Sequence, residues 1–379
     1  MDVVLRVLTA IVFVACASLV GACGYLPQNG ATTCTTRVSS VSALRAAAGT
    51  TGARDVCMAG GNYTVDSYIR VASNVRLHGY GVTLRYTGPR ATLGFFNADG
   101  THDIVVDGFV LDGGNEIATG FRSQNGAHHI VVRGLTVKNM AEGGVNFQKS
   151  DHVVAQGNTI SHVGYTIGWG SAIDLWFGGE GTNSTYDGAA GFHAIIAGNV
   201  VSDVADGSTY QTDGNGIIID GGGNLYPVLI TGNVIHDVRG RGVTSIWNSA
   251  DVWVVNNTVA RASNAGDCDY ASYSVQGFNG SMHWINNISQ PGCGPNYAQY
   301  NGSSGYSWRS DIDSNTANRN LNPGSAVQVA NPLLDANTFA PLAGSPALGT
   351  GIAARTLMSD ALRQTGSAYM PSHNNVGAR

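Results

Sequence analysis

The chain has 379 residues, of which 12% are charged, against roughly 25% in an ordinary soluble domain. Its net charge of −5 and its two lysines give no electrostatic support to a nucleic-acid partner. Hydrophobic residues make up 43% of the chain and glycine occurs 52 times, which excludes a disordered polymer and is typical of a turn-rich fold. The length suits either two domains or one elongated repeat domain.

Residues 1–23 predict an export signal. One arginine precedes an apolar run from Val7 to Ala22, which is too short and lacks the flanks of a membrane-spanning helix. The sequence "LVGAC" resembles the processing box of bacterial lipoproteins and would make Cys23 a lipid-anchored first residue in the cell envelope. Ordinary cleavage and free secretion to the extracellular medium is the alternative.

Four cysteines follow the leader, and an oxidising compartment makes disulfides the expected state for them. Four cysteines allow three connectivities. The pairs nearest in sequence, Cys34–Cys57 and Cys268–Cys293, are the simplest choice. Buried free thiols are the alternative.

The stretch "SSVSALRAAAG", residues 39–49, predicts a helix, since serine stands at its start and apolar residues follow at helical spacing. We assign residues 24–60 to an N-terminal linker and cap, in which this helix plugs one end of the repeats that follow.

Residues 61–320 contain a recurrent pattern of alternating apolar and polar residues, as in "IVVDGFVL", "IVVRGLTV" and "VLITGNVI". The short spacings set a unit of roughly 23–26 residues, within the range of solenoid repeats. A unit this short must stack on its neighbours to bury its apolar face. The position that anchors each unit is Gly108, Gly134, Gly157, Gly198, Gly232, Asn256 and Asn286.

Asparagine recurs once per unit, in "GNTI", "GNVV", "GNVI" and "NNTV", where stacked side chains can hydrogen-bond along the axis. These repeats resemble those of right-handed parallel β-helix proteins of the pectate lyase-like superfamily. The resemblance implies an all-β parallel β-helix but no single chemistry, because such folds host lyases, hydrolases, epimerases and adhesins. The segment "NPLLDANTFAPLAGSPALGTG" resembles the closing segment of secreted β-helix proteins, so we assign residues 321–379 to a loop-rich C-terminal cap.

A second strand is expected in each coil about ten residues after the anchor, in "GVNFQ", "SAIDLW", "GIIIDG", "GVTSIW" and "YSVQGF". Insertions gather around this strand and are rich in aromatic residues, and inserted loops on one face of a solenoid commonly build a binding surface. Exposed rings suit the faces of sugars. The expected substrate-binding residues are Trp169, Trp176, Tyr210, Trp247, Gln148 and Asn215.

Asp174 and Asp220 are expected to take the same outward place in consecutive coils, about 4.8 Å apart. The repulsion between two carboxylates this close can be relieved by a proton, a cation or an arginine. A shared proton suits a retaining glycosidase, whose carboxyl groups lie about 5–5.5 Å apart. Turn-capping aspartates are the structural alternative.

A Ca²⁺ ion is the second way to relieve the pair, with Asp174, Asp213 and Asp220 as expected oxygen ligands. The third is arginine, and Arg239 and Arg241 align with Asp213 and Asn215 of the preceding coil. The resemblance implies that a lyase of this fold binds the uronate through a cation and uses arginine or lysine as base. The candidate catalytic residues are therefore Asp174, Asp220, Arg241, Arg239 and Lys149.

Six of the ten histidines lie at coil starts and are interpreted as structural, with no zinc-like spacing among them. They are His102, His128, His129, His152, His193 and His283.

The sequence thus favours an exported, monomeric polysaccharide lyase acting on a uronic-acid polymer. A retaining glycoside hydrolase that uses Asp174 and Asp220 is one alternative. A surface solenoid that binds glycans without turnover is the other.

Overall fold

The computed structural model describes residues 34–177, 186–207, 213–221, 226–247, 250–264, 268–277, 280–301, 306–309, 311–313, 318–319, 321, 326–371 and 375–378. The predicted leader with Cys23, and the predicted substrate residue Tyr210, lie outside these residues.

Three parallel sheets run the length of the described chain, and each coil contributes one strand to each of them. This is a right-handed parallel β-helix, so the predicted fold is confirmed.

Strands are numbered in chain order. The first sheet holds β1 (Thr36–Val38), β2 (Arg54–Met58), β5 (Val75–His78), β8 (His102–Asp107), β11 (His128–Arg133), β14 (Asp151–Gln156), β17 (Ala194–Ala197), β20 (Val228–Thr231), β23 (Asp251–Val255), β26 (Ser281–Ile285) and β29 (Tyr306–Arg309). The second sheet holds β4 (Ile69–Arg70), β7 (Ala91–Asp99), β10 (Ile117–Gln124), β13 (Gly143–Gln148), β16 (Ser171–Trp176), β19 (Asn215–Asp220), β22 (Val243–Ile246), β25 (Tyr273–Gln276), β28 (Tyr297–Tyr300) and β31 (Asn318–Arg319). The third sheet holds β3 (Gly61–Val65), β6 (Val82–Tyr86), β9 (Val110–Asp112), β12 (Thr136–Met140), β15 (Thr159–Val163), β18 (Val200–Val204), β21 (Val234–Val238), β24 (Thr258–Ala262), β27 (Ile288–Gln290), β30 (Asp311–Asp313) and β32 (Val327–Val329).

The core is a continuous apolar column inside the coil. Val145, Ile173, Ile217 and Val243 pair in register across four successive coils and are all buried. Burying each such side chain contributes roughly 1.5–3 kcal/mol, and only the neighbouring coils can supply that burial. Along each of these strands, the neighbouring residues point outward. The outer face of the second sheet is therefore available for a site.

The repeat anchors mark the bend between the first and third sheets. All seven predicted anchor residues have positive φ angles, from 55° at Asn256 to 75° at Gly108, which glycine and asparagine tolerate best. The asparagine after the anchor is buried and bonds to the same residue of the next coil, so the predicted ladder is confirmed. It runs through Asn158, Asn199, Asn233, Asn257 and Asn287.

Within this ladder, Asn233→Ala is expected to lower the free energy of unfolding by about 2–3 kcal/mol. The Asn233 Oδ1 atom accepts bonds from the backbone N–H and the Nδ2 of Asn199, both at 2.9 Å, and its own Nδ2 donates to Ile196 O. Truncation leaves these buried groups without partners. Urea unfolding measures the loss, and Asn62→Ala, at an exposed position of β3, serves as the control. A cost no larger than that of Asn62→Ala would show that the ladder contributes nothing special.

Both ends contain short helices. Helix α1 (Val41–Ala48) begins after Ser40, whose hydroxyl accepts a bond from Ala43 N, and it buries Leu44 and Ala48 in the main core. The 3₁₀-helix Ala354–Leu357 and helix α2 (Asp360–Gly366) belong to the C-terminal segment. Among the described residues, no helix has the length and apolar character needed to cross a bilayer.

The C-terminal segment packs against the outside of the first sheet. Leu362 and Met370 join Phe192 and Trp253 in a separate apolar cluster there. The two predicted disulfides, Cys34–Cys57 and Cys268–Cys293, are both present.

Candidate functional site

The candidate site lies on the outer face of the second sheet, between β10 and β28, which we call the acidic face. Four carboxyl groups with raised pKa values lie along it, and arginines from both sides approach them. Its carboxyl groups belong to Glu142, Asp174, Asp213 and Asp220.

The register corrects one prediction. Asp174 pairs with Asn146 on one side and Ile218 on the other, whereas Asp220 pairs with Trp176. The two aspartates therefore lie on adjacent strands but two residues out of step. With strands about 4.8 Å apart and about 3.3 Å per residue, their Cα atoms are roughly 8 Å apart.

The prediction that they stand side by side is wrong for a simple reason. Matching the two strands by their isoleucine–aspartate pairs ignored that β19 starts with Asn215 opposite Ser171. Counted from that start, the position of Asp174 falls on Ile218. The outward column of Gln148, Asp220, Ile246 and Gln276 is otherwise as predicted, with Trp176 in the place given to Asp174.

Asp174 is the most perturbed of the four groups. Burial raises the pKa of its carboxyl well above the usual value, and the nearby charges of Asp220, Glu142 and Asp213 raise it further. Its Oδ2 atom accepts a bond from Asn146 Nδ2 at 3.2 Å, while its buried Oδ1 atom has no hydrogen-bond partner among the described residues. A protonated Asp174 therefore has a hydroxyl whose hydrogen bond these residues do not satisfy.

The other carboxyl groups differ from Asp174 in degree. Burial, with Asp206 nearby, raises the pKa of Asp213 to about 6, although Arg241 acts in the opposite direction. Burial also raises the pKa values of Asp220 and Glu142. At neutral pH, Asp213 is therefore mostly ionised, whereas burial favours the protonated form of Asp174.

Two arginines lie just before β22, and Arg241 is the one whose charge acts on the carboxyl groups. Arg241 is 7% exposed, and its guanidinium lies over the rings of Tyr270 and Tyr300 at 4.6 and 5.6 Å. Its positive charge opposes the rise in the pKa values of Asp213 and Asp220, so Arg241 lies near both carboxyl groups. The backbone N–H of Arg239 donates to Val204 O, so this arginine is fixed at the turn before β22.

A third arginine, Arg122 on β10, was not predicted. It occupies the same column as Asn146 and Asp174, and its charge opposes the rise in the pKa of Asp174. Its Nη2 and Nε atoms donate to Gln148 Oε1 at 2.7 and 3.2 Å, and its Nη1 to Thr92 O. The predicted substrate residue Gln148 is thus also the residue that orients Arg122.

Aromatic rings edge the acidic face. Trp176, Trp169 and Trp247 are 37%, 61% and 51% exposed, and their role in contacting ligand stays a prediction. Trp176 is the strand partner of both Asp220 and Gln148. The Lys149 ammonium lies 5.8 Å from the centre of the Trp176 ring, so this lysine stands at the edge of the face.

Asn215 is predicted to bind substrate, but its side chain does not face the acidic face. It is fully buried, its Nδ2 donates to Asp213 Oδ1 at 2.9 Å, and its Oδ1 accepts from Arg241 N at 3.0 Å. As the first residue of β19 it takes the inward side of the strand. Its effect on the site is to position Asp213 and Arg241.

Sequence reasoning missed Arg122, Glu142 and Asn146. The signal was available for Arg122, because extending the strand comparison one coil upstream to "ATGFRSQ" places it in the column of Asp174. Glu142 stands just before β13, outside the strand positions compared, so only the folded chain brings its carboxyl group toward Asp174.

No protein-family model matches the chain, and no curated protein sequence is significantly similar to it. Solved structures with a similar chain path include the A-module of a mannuronan C-5 epimerase from Azotobacter vinelandii, at 13% identity over 76% of this chain and 95% of that one, with a TM-score of 0.37. A polygalacturonase from Erwinia carotovora is 11% identical over 82% of this chain and 100% of that one, with a TM-score of 0.47. A tailspike protein of an E. coli bacteriophage, solved with a pentasaccharide, is 14% identical over 74% of this chain and 63% of that one, with a TM-score of 0.45. At these identities and scores, the likenesses carry no argument about what this chain does.

The acidic face nevertheless has a defined chemical capability of its own. It offers a buried carboxyl whose pKa is raised well above the usual value, a carboxyl poised to accept a proton near neutral pH, and guanidinium groups that bind carboxylates. Carboxylate oxygens are also the ligands that Ca²⁺ prefers, but Asp174, Asp213 and Asp220 do not form a metal-sized group among the described residues.

Proposed function

We propose that this chain is an exported enzyme that cleaves a uronic-acid polysaccharide by β-elimination on the acidic face. The observation that carries the proposal is the buried Asp174 carboxyl, whose Oδ1 atom has no partner among the described residues and whose pKa is raised by burial. The two disulfides support export, since such bonds persist in oxidising compartments. The lipid anchor on Cys23 stays a prediction.

In the proposed reaction, Asp213 takes the proton from C5 of the uronate. The C5–H electrons form the C4=C5 double bond as the C4–O bond breaks. Asp174 gives its proton to the departing oxygen. The raised pKa of Asp213, about 6, keeps it basic enough to accept a proton yet ionised at neutral pH.

The substrate carboxylate is assigned to the arginines. Guanidinium groups bind carboxylates through two parallel hydrogen bonds, and Arg241 is already held by Tyr270 and Tyr300. Arg122 on β10 and Arg239 in the turn before β22 are the further candidates for this contact, and Lys149 lies at the edge of the face. Trp176, beside Asp220, offers a ring on which a sugar can stack.

Asp174, Asp213 and Asp220 would hold Ca²⁺ only after their side chains move together, because they do not form a metal-sized group among the described residues. When bound, such an ion would neutralise a uronate carboxylate and make the adjacent C–H more acidic. A carboxyl that binds the ion is ionised, so Ca²⁺ binding and the proton-donor role of Asp174 exclude each other.

A glycoside hydrolase is the second candidate, and the register changes its type. A Cα offset of roughly 8 Å between Asp174 and Asp220 favours the wider carboxyl spacing of inverting enzymes, about 6.5–9.5 Å, over the retaining spacing. In that reaction Asp174 remains the acid and Asp220 activates a water.

The product distinguishes the candidates. The purified protein is incubated with a panel of uronic-acid and neutral polymers, with Ca²⁺ or with a chelator. The proposed lyase gives the ultraviolet absorbance of an unsaturated uronate, and its rate is expected to survive chelation. A loss of at least about tenfold on chelation would assign the aspartates to Ca²⁺ instead of to proton transfer. New reducing ends without that absorbance identify the hydrolase. Binding without turnover on any polymer identifies a glycan-binding solenoid and overturns both enzymatic assignments.

A further inference from the structure

A second cluster of chemically active side chains lies at the edge of the first sheet, away from the residues of the acidic face. Asp151 and His152 open β14, His193 immediately precedes β17, and Asp187 lies in the segment between Tyr186 and His193. The ligand-type atoms of these four residues all lie within 4.8 Å of one another. They come from different stretches of the chain, and the fold alone brings them together.

Two nitrogen–oxygen contacts organise the cluster. His193 Nδ1 lies 2.7 Å from Asp151 Oδ1, and His152 Nε2 lies 3.0 Å from Asp187 Oδ1. In a tetrahedral zinc site with bonds of about 2.0–2.1 Å, neighbouring donor atoms are about 3.3 Å apart. Small adjustments of the side chains therefore suffice to place an ion between the two pairs.

The surroundings orient the donors as metal sites require. His193 Nε2 lies 2.7 Å from Ala189 O, so its N–H can donate there and leave Nδ1 facing the cluster. Asp151 Oδ2 accepts the backbone N–H of Tyr186 at 2.5 Å, which fixes that carboxylate. Both Asp151 and His193 are more than nine-tenths buried.

We propose that Asp151, His152, Asp187 and His193 form a binding site for Zn²⁺. Two imidazole nitrogens and two carboxylate oxygens are a donor set that suits zinc, whereas Ca²⁺ and Mg²⁺ prefer oxygen ligands alone. The proposal adds a metal-binding role to His152 and His193, which are interpreted from the sequence as structural. The ion would fasten the segment from Tyr186 to His193 onto the start of β14.

One rearrangement accompanies binding. The rings of His152 and His193 are stacked with centroids 4.1 Å apart, so one ion cannot lie in both ring planes as they stand. His152 is the partly exposed member, at 19%, while His193 is held between Asp151 and Ala189. His152 Nε2 already lies 3.0 Å from Asp187 Oδ1, so we expect the His152 ring to turn out of the stack while it keeps this nitrogen beside Asp187.

The test is zinc binding by tag-free, chelator-treated protein, measured by equilibrium dialysis and calorimetry. One Zn²⁺ per chain is expected, unaffected by excess Ca²⁺ or Mg²⁺, and Co²⁺ is expected to give the visible absorption of a tetrahedral site. His152→Gln and Asp187→Asn, at partly exposed positions, are each expected to weaken zinc binding by about 100-fold or more. Circular dichroism confirms that the variants are folded.

Two matched controls make the result specific. His283→Gln removes another histidine that contacts an aspartate at 3.0 Å, Asp251, but lies outside the cluster. His128→Gln removes a neighbouring histidine whose Nδ1 lies 2.8 Å from that of His129. Both are expected to keep the wild-type zinc affinity. Absence of stoichiometric binding, or loss of binding in His128→Gln with retention in His152→Gln, would overturn the assignment and leave these contacts as ion pairs.

Discussion

Replacing Asp174 by asparagine is expected to lower kcat on the cleaved polymer by about 10²–10⁴-fold, with a much smaller change in KM. The amide has nearly the shape of the carboxyl, so it fits beside Asn146, but it cannot give a proton to the departing oxygen. The ratio of kcat values is measured on the polymer that the panel identifies. Asp251→Asn, on the outer face of the first sheet, is the control and is expected to keep full activity.

Stability separates this chemical role from a structural one. Burial raises the pKa of Asp174 above its unfolded value, so the folded state binds the proton more tightly than the unfolded state. The stability that this proton provides is present at low pH and declines as the pH rises from about 4 toward the folded pKa. At neutral pH, the wild-type protein loses stability because a buried carboxyl opposes ionisation, and Asp174→Asn removes that loss. The melting temperature of the variant should therefore equal or exceed the wild-type value. A less stable variant that keeps its activity would identify Asp174 as a turn-capping aspartate instead.

Much of the coil could be predicted from the sequence because its constraints are local and repeated. Positions such as Gly108 and Asn256 recur where the chain needs a left-handed bend, and Asn233 recurs where a ladder needs an amide. All coils follow the same pattern, so the assignment of strands and turns in one coil can be checked against the next.

The candidate site was less predictable because it depends on register and on residues outside the repeat. A shift of two residues keeps Asp220 on the outward face, so the hydrophobic pattern could not reveal that it pairs with Trp176 rather than with Asp174. Glu142 and Arg122 affect Asp174 through burial and charge, which no spacing encodes. The inserted segments, which carry Trp169 and Asp187, have no repeat to align with at all.

The second large expected effect is a pH dependence of the free energy of unfolding, and it arises at the end of the asparagine ladder. Asp311 takes the next place after Asn287 and accepts the Asn287 backbone N–H at 2.5 Å and its Nδ2 at 3.1 Å. Among the described residues, its Oδ2 atom and both carboxyl oxygens of Asp313 have no hydrogen-bond partner, and both residues are fully buried. Burial raises the pKa of Asp311 to about 8 and that of Asp313, with the charge of Asp311 adding to the effect, to about 9.

Because both pKa values are raised on folding, the stability from these protonated groups is complete below about pH 4 and is lost as the pH rises toward 8–9. Each unit of pKa difference corresponds to about 1.4 kcal/mol, and relaxation of the site reduces the full amount. We expect the wild-type free energy of unfolding to fall by about 3 kcal/mol or more between about pH 5 and pH 8.

The variant Asp311→Asn extends the ladder with the residue used in the preceding coils, and Asp313→Asn removes the second buried carboxyl. The double variant is expected to be more stable than the wild type at about pH 8 and to lose most of the difference at about pH 4. Urea midpoints at the two pH values measure this, with Asp103→Asn, whose carboxylate is half-exposed, as the control. The raised pKa values of Asp174 and Asp213 add their own alkaline decline to every variant, so the change in slope on substitution is the quantity that isolates Asp311 and Asp313. An unchanged slope would mean that both carboxyls ionise in the folded coil without cost, which burial in an apolar interior does not permit.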